Sequence, residues 1–200
     1  MRLKIIIGLL ILFSYYSWSA EPITIWKMND KGKKTLPLYC SSGVEIIEYI
    51  PNHEKHKGKV CAILYQLENK KDRKKAMSVI KPHLYTVLAG KQLGIELLPV
   101  DVPLIYLKEK EKKIILTVDL SRYEIDMPQE GLFVGLEYLG EVDHETDNDY
   151  QASSSPFGMW HITDAIPSED DVCYSRWKGK ITSNPRDENT LCLFGINVCE

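Results

Sequence analysis

The sequence predicts an all-β chain, an antiparallel two-layer β-sandwich of the jelly-roll or immunoglobulin-like kind that follows an N-terminal signal peptide. Three observations predict it: roughly eight to eleven short runs rich in branched and aromatic residues, turn signals at short intervals between them, and no long segment with a helical apolar stripe. Its 200 residues, 44% of them hydrophobic, suffice for one well-buried core. No repeat or linker divides them.

Residues 1–20 read as the signal peptide. Arg2 and Lys4 precede the apolar run 5–13, and the small residues Ser17, Ser19 and Ala20 follow, with cleavage expected after Ser19 or Ala20. A bilayer-spanning helix needs roughly 20 apolar residues, and this run is nearer a dozen, so no transmembrane span is expected after cleavage. No cysteine adjoins the run, so no lipid attachment point is expected. The mature domain is 21–200, exported to a periplasmic, outer-membrane-associated or secreted location.

Residues 23–28 alternate and end at the turn-forming Asn29, Asp30 and Gly32, which predicts a first strand. Strands over 44–50 and 60–67 follow, joined by a basic loop at 53–59. The second is apolar at nearly every position, as a strand covered on both faces is. Residues 68–75 are dominated by charge and read as a solvated loop. Over 81–88, His83, Tyr85 and Val87 fall on one face and Pro82, Leu84, Thr86 and Leu88 on the other, before a turn at 89–92. Pro99 and Pro103 interrupt the apolar stretch 95–107 and predict an edge or bulged path, because proline cannot donate to a central ladder. Branched residues make 112–120 and 132–139 strands, and 121–131 is expected to cross between the sheets. Residues 141–156 read as a long polar connection. The segments 171–181 and 190–198 are expected to pair as a hairpin.

Charge narrows the function. Without Arg2 and Lys4, 23 basic side chains face 28 acidic ones, a net charge of −5 that disfavours a nucleic-acid partner. Cys40, Cys61, Cys173, Cys192 and Cys199 contain no CxxC unit, so zinc has no local support, and an oxidising compartment favours sparse disulfides. If the final hairpin forms as expected, Cys173 and Cys199 come within disulfide reach.

No catalytic residue and no cofactor are expected. Ser153, Ser154 and Ser155 lack the glycine framing of a nucleophile elbow. Asp143, Glu145, Asp147 and Asp149 alternate as a weak calcium-ligand candidate, but Asn148 stands where an EF-hand loop needs glycine and Ser154 where it needs a bidentate carboxylate. Lysine-rich stretches at 53–59, 70–75 and 108–113 are diluted by Glu54, Asp72, Glu109 and Glu111 and read as solvated loop tips. The aromatic residues of the last quarter include Tyr150, Trp160 and Trp177, flat faces suited to a sugar ring or a protein partner.

Three pieces of the chain carry a resemblance: 46–52, then 83–87 with 97–100, and above all 118–125 running on through 128–138. Residues 43–140 thereby resemble the β-sandwich region of uncharacterised exported proteins of Gram-negative bacteria described as carboxypeptidase-regulatory-like. The resemblance implies a fold neighbourhood and transfers no active residue. A regulatory module often precedes that region in the family, and there is no room for one here.

The expected function is a non-catalytic envelope module that holds a glycan, a peptide or an envelope protein through loops at the ends of the sandwich. A structural or assembly component of an envelope complex is the second reading, and a small secreted hydrolase the third.

Overall fold

The computed structural model describes residues 21–26, 34–69, 77–107, 113–142, 154–163, 170–177, 179–182 and 191–199. Residues 1–20, expected to be a signal peptide, and the acidic run 143–149 lie outside the described residues. The strands in chain order are β1 (Ile23–Trp26), β2 (Lys34–Ser41), β3 (Val44–Ile50), β4 (Lys59–Asn69), β5 (Met77–Leu88), β6 (Gln92–Glu96), β7 (Ile105–Leu107), β8 (Lys113–Asp119), β9 (Leu132–Val142), β10 (Ser154–Thr163), β11 (Cys173–Trp177), β12 (Lys180–Thr182), β13 (Leu191–Cys192) and β14 (Phe194–Cys199). One turn of 3₁₀ helix, Ser121–Tyr123, completes them.

These strands form two seven-stranded antiparallel sheets, so the all-β sandwich is as the sequence predicts. The first runs β1-β14-β4-β10-β13, with β2 on β10 and β8 on β4; the second runs β12-β11-β3-β9-β5-β6, with β7 also on β5. The core lies between them. Ile46 and Ile50 of β3, Ile63 and Tyr65 of β4, Leu84 of β5, Val134 and Leu136 of β9 and Phe194 and Ile196 of β14 interleave there. Their alternate positions in each strand follow from the pleat, which sends successive side chains to opposite faces. Among the described residues no helix is long and apolar enough to cross a membrane.

The central strands carry the branched runs. β4 bonds β14, β10 and β8 and buries residues of both faces, as its continuous apolar composition requires. The prolines of 95–107 fall between β6 and β7, two short edge strands on β5. Pro82 nevertheless sits inside β5. Leu84, two residues on, turns its N–H to Glu96 Oε1 and its C=O to the Leu97 N–H, so the backbone at 82 faces the same edge, in the interval between β7 and β6. No ladder bond is lost there.

Crossings between the sheets are short. Ser42 and Gly43 turn the chain from β2 into β3. Residues 120–131 carry it from β8 into β9, as the sequence predicts, and end at Gly131 with φ +93. A Cβ at Gly131 would lie 2.2 Å from the Ile50 carbonyl oxygen, so only glycine serves there.

The last quarter differs from expectation. Residues 171–181 do not pair with 190–198. They fold on themselves as β11 and β12, and β11 bonds β3 in the second sheet, while β14 bonds β4 and β1 in the first. β14 therefore brings Cys199 beside Cys61 of β4, and these two form the disulfide, with Cα atoms 5.9 Å apart. The expected Cys173–Cys199 pair is not formed, because β11 holds Cys173 opposite Glu48 in the other sheet. β2 and β10, which pair with each other, lie where no strand was predicted, β10 overlapping only the end of the expected polar connection 141–156.

Candidate functional site

One end of the sandwich opens into a cleft of about 420 Å³, within the size range of small-ligand sites. Its walls come from three segments distant in sequence: Ile23–Trp26 of β1, the loop Pro51 to His56 after β3, and Asp170 with Asp171 ahead of β11.

The loop wall is built on Asn52, which is buried. Its side-chain amide donates to the carbonyls of His56 and Pro128, both at 3.0 Å, and its Oδ1 accepts the His56 N–H at 2.9 Å. One side chain thereby satisfies two backbone groups of its own loop and one of the crossing 120–131. His56 Nε2 lies 3.0 Å from Glu54 Oε2. Across the cleft, Asp170 stands 2.9 Å from His53 Nε2 and 2.8 Å from Lys91 Nζ. Lys91 belongs to the β5–β6 turn, and its carbonyl accepts the Tyr174 hydroxyl at 3.2 Å. Beneath it, burial and the Asp170 charge push the Tyr49 phenol up, and Lys91, 5.7 Å from the ring centre, holds it back in part.

Trp26 closes the β1 side. It pairs with Gly195 of β14, and a Cβ there would come within 2.8 Å of the indole. The ring thus rests on bare backbone, fixed from behind. An indole beside imidazole, amide and carboxylate groups can stack a flat apolar face and hydrogen-bond polar edges. Among the described residues, no serine or cysteine lines the cleft.

A second constellation covers the outer face of the second sheet. The registers place Arg176, Glu45 and Glu137 in one cross-strand row and Ile47, Gly135 and His83 in the next. The Glu45 carboxylate takes the Tyr85 hydroxyl at 2.6 Å and the Arg176 guanidinium at 3.1 Å. His83 reaches Glu96 at 2.9 Å through Nδ1 and Glu137 at 3.1 Å through Nε2. Gly135 makes room for them: a Cβ would lie 2.5 Å from Glu45 Oε1 and 2.9 Å from the His83 Cβ. Burial alone would lower the His83 pKa, but the bonds to Glu137 and Glu96, with the Glu45 charge, reverse this and raise it to about 9. Burial drives the Glu45 carboxyl up, opposed by His83, Tyr85 and Arg176. The His83 bond holds the Glu137 carboxyl below its ordinary range. Apart from Arg176 Nε, the buried polar groups here bond one another, and the arrangement locks the sheet.

Of the site residues expected from sequence, the described ones do not line the cleft. Trp177 ends β11 and is half exposed, outside the cleft. Trp160 is on β10, opposite Pro37 in register. Tyr150 and the acidic positions Asp143, Glu145, Asp147 and Asp149 lie outside the described residues, among which no cluster of three metal-ligating side chains occurs. Trp26, Asn52 and Asp170 were not singled out by sequence. A lone tryptophan in the first strand was the available signal. Comparison with protein-family models, curated proteins and solved structures finds no match.

Proposed function

We propose that this chain is a non-catalytic binding module of an exported envelope protein, and that the cleft between β1 and the β3–β4 loop holds its ligand. The observation that carries the reading is the composition of that cleft: a backed indole and a loop anchored by a buried asparagine face each other across about 420 Å³, with polar groups between. Loops positioned by a rigid sandwich are where binding residues concentrate. The Cys61–Cys199 disulfide supports an oxidising compartment, as export would provide. A place near the carboxypeptidase-regulatory-like proteins belongs to the same proposal.

Amide shift mapping of the mature domain tests it. Candidate envelope glycans and peptides should move resonances of residues 23–26, 51–56 and 170–171, and Trp26→Ala should weaken binding while unfolding stays cooperative. Saturable binding mapped wholly outside the cleft, or turnover of the added compound, would refute the reading.

A further inference from the structure

All four residues of β1 line the cleft. A strand sends successive side chains to opposite faces, so a cavity against one face would be lined by alternate residues only. Here Ile23 and Ile25 pack on the inter-sheet core, while the Thr24 hydroxyl reaches Asn197 Oδ1 at 2.8 Å on the opposite face. The cleft therefore runs along the edge of β1, past the backbone itself.

That edge ends its sheet: among the described residues β1 pairs with β14 alone. In an antiparallel ladder, alternate residues spend their N–H and C=O groups on the neighbour, and the others point them outward. The register from Ile23↔Val198 to Trp26↔Gly195 has no bulge, and β1 contains no proline or lysine, the devices that usually blunt an edge. Opposite stands the loop Asn52 to His56. Among the described residues, the lining includes the carboxylates of Glu54, Asp170 and Asp171, of which Asp170 also meets Lys91 at 2.8 Å, and no lysine or arginine.

We infer that the ligand is an extended segment of a partner protein that adds as a strand to the outer edge of β1, with a basic side chain set toward the carboxylates of the facing wall. This rests on reading the cleft as the binding site and names its occupant. Paired N–H and C=O groups at strand spacing match another backbone, which a sugar does not provide. Four residues of strand extend roughly 13 Å, enough for a short register of main-chain bonds with affinity set by the flanking side chains. Acidic lining selects a cationic residue over an anionic one.

The test uses ¹⁵N-labelled mature protein and a panel of capped pentapeptides with Val, Ile, Thr or Tyr around a central Lys, their Glu-centred counterparts, and chitotetraose as a sugar probe. Members of the Lys panel should shift the amides of residues 23–26 saturably, and the Glu counterparts should bind several-fold more weakly. Methylating the peptide amides at one alternate set should weaken binding about tenfold by removing main-chain donors, while methylating the other set should change it little. Equal losses from both methylation patterns would overturn strand addition. If only chitotetraose moves the cleft resonances, the cleft is a binding site and the occupant is wrong. If no probe moves them, both readings fall. A dimer through β1 that the peptides do not displace would overturn the inference in favour of a second copy of this chain.

Discussion

The imidazole of His83 should stabilise the fold at neutral pH and stop doing so in mild alkali. Its folded pKa of about 9 stands above the ordinary 6.5. A group whose pKa rises on folding contributes its stabilisation fully below the unfolded value and loses it as pH climbs through the folded one. Those two values give about 2–3 kcal/mol of stability at pH 7 and almost none at pH 10. In urea this is a midpoint shift of roughly 1 M for a domain of this size. Other groups titrate in the same range, so the measurement is a difference. His83→Gln removes the charge, and the stability gap between parent and variant should shrink by about 2–3 kcal/mol from pH 7 to pH 10. The imidazole resonances of His83 should titrate near pH 9 in parallel. A gap that stays constant with pH, together with an imidazole titrating near 6.5, would refute the electrostatic account of the cluster.

Gly135→Ala should destabilise by about 2–3 kcal/mol in urea or thermal unfolding, because the new methyl group would displace the Glu45 carboxylate and crowd His83; a change under about 0.5 kcal/mol would show that the cluster yields easily. Reducing the disulfide, or Cys61→Ala with Cys199→Ala, opens a link between residues 138 apart in sequence and should cost about 2–5 kcal/mol, read as a lowered unfolding midpoint. Mass spectrometry of the protein expressed in a Gram-negative host should give a mature form beginning at Ala20 or Glu21, and recovery of the full-length chain from the cytoplasm would refute export.

Much of the fold was legible because the pleat writes itself into composition. β3 matches the run 44–50 to the residue, and the alternation at 81–88 correctly separated His83 and Tyr85 from Leu84. β2 and β10 were missed for a local reason: Pro37 in one, and Pro156 and Gly158 in the other, carry turn signals inside strands. The final hairpin failed for a different reason. Alternation reports that a strand exists and which face is apolar, but partner choice depends on the whole sheet, and β11 found β3 rather than the strand that follows it.

The site was less legible. Glu45, His83, Glu137 and Arg176 come from four strands and meet only through register. A trace was present: Glu45 and Glu48 interrupt an otherwise apolar strand and both are buried, and a carboxylate in such a place requires a partner. The cleft left a fainter one, since Trp26, Asn52 and Asp170 have no pattern in common until folding joins the sandwich end.

Cleft and cluster are mechanically connected through the edges of the second sheet. Arg176 ties β11 to Glu45, and Glu96 ties β6 to His83, so the ion network grips the strands on either side of the β3–β9–β5 centre. The same two strands are entered from the cleft: Asp170 lies three residues ahead of β11, Lys91 immediately precedes β6, and the two side chains meet at 2.8 Å. Tyr65 reaches the same centre from the core side, donating to the Gly135 carbonyl at 2.6 Å. A short edge strand such as β6 has little apolar area with which to hold its own position, whereas its half-exposed Glu96 is bonded to the buried His83, whose loss of a partner would be costly. The partly buried ion network therefore helps hold the flanking strands as the hydrophobic core holds the central ones, and the wall of the cleft inherits its position from them.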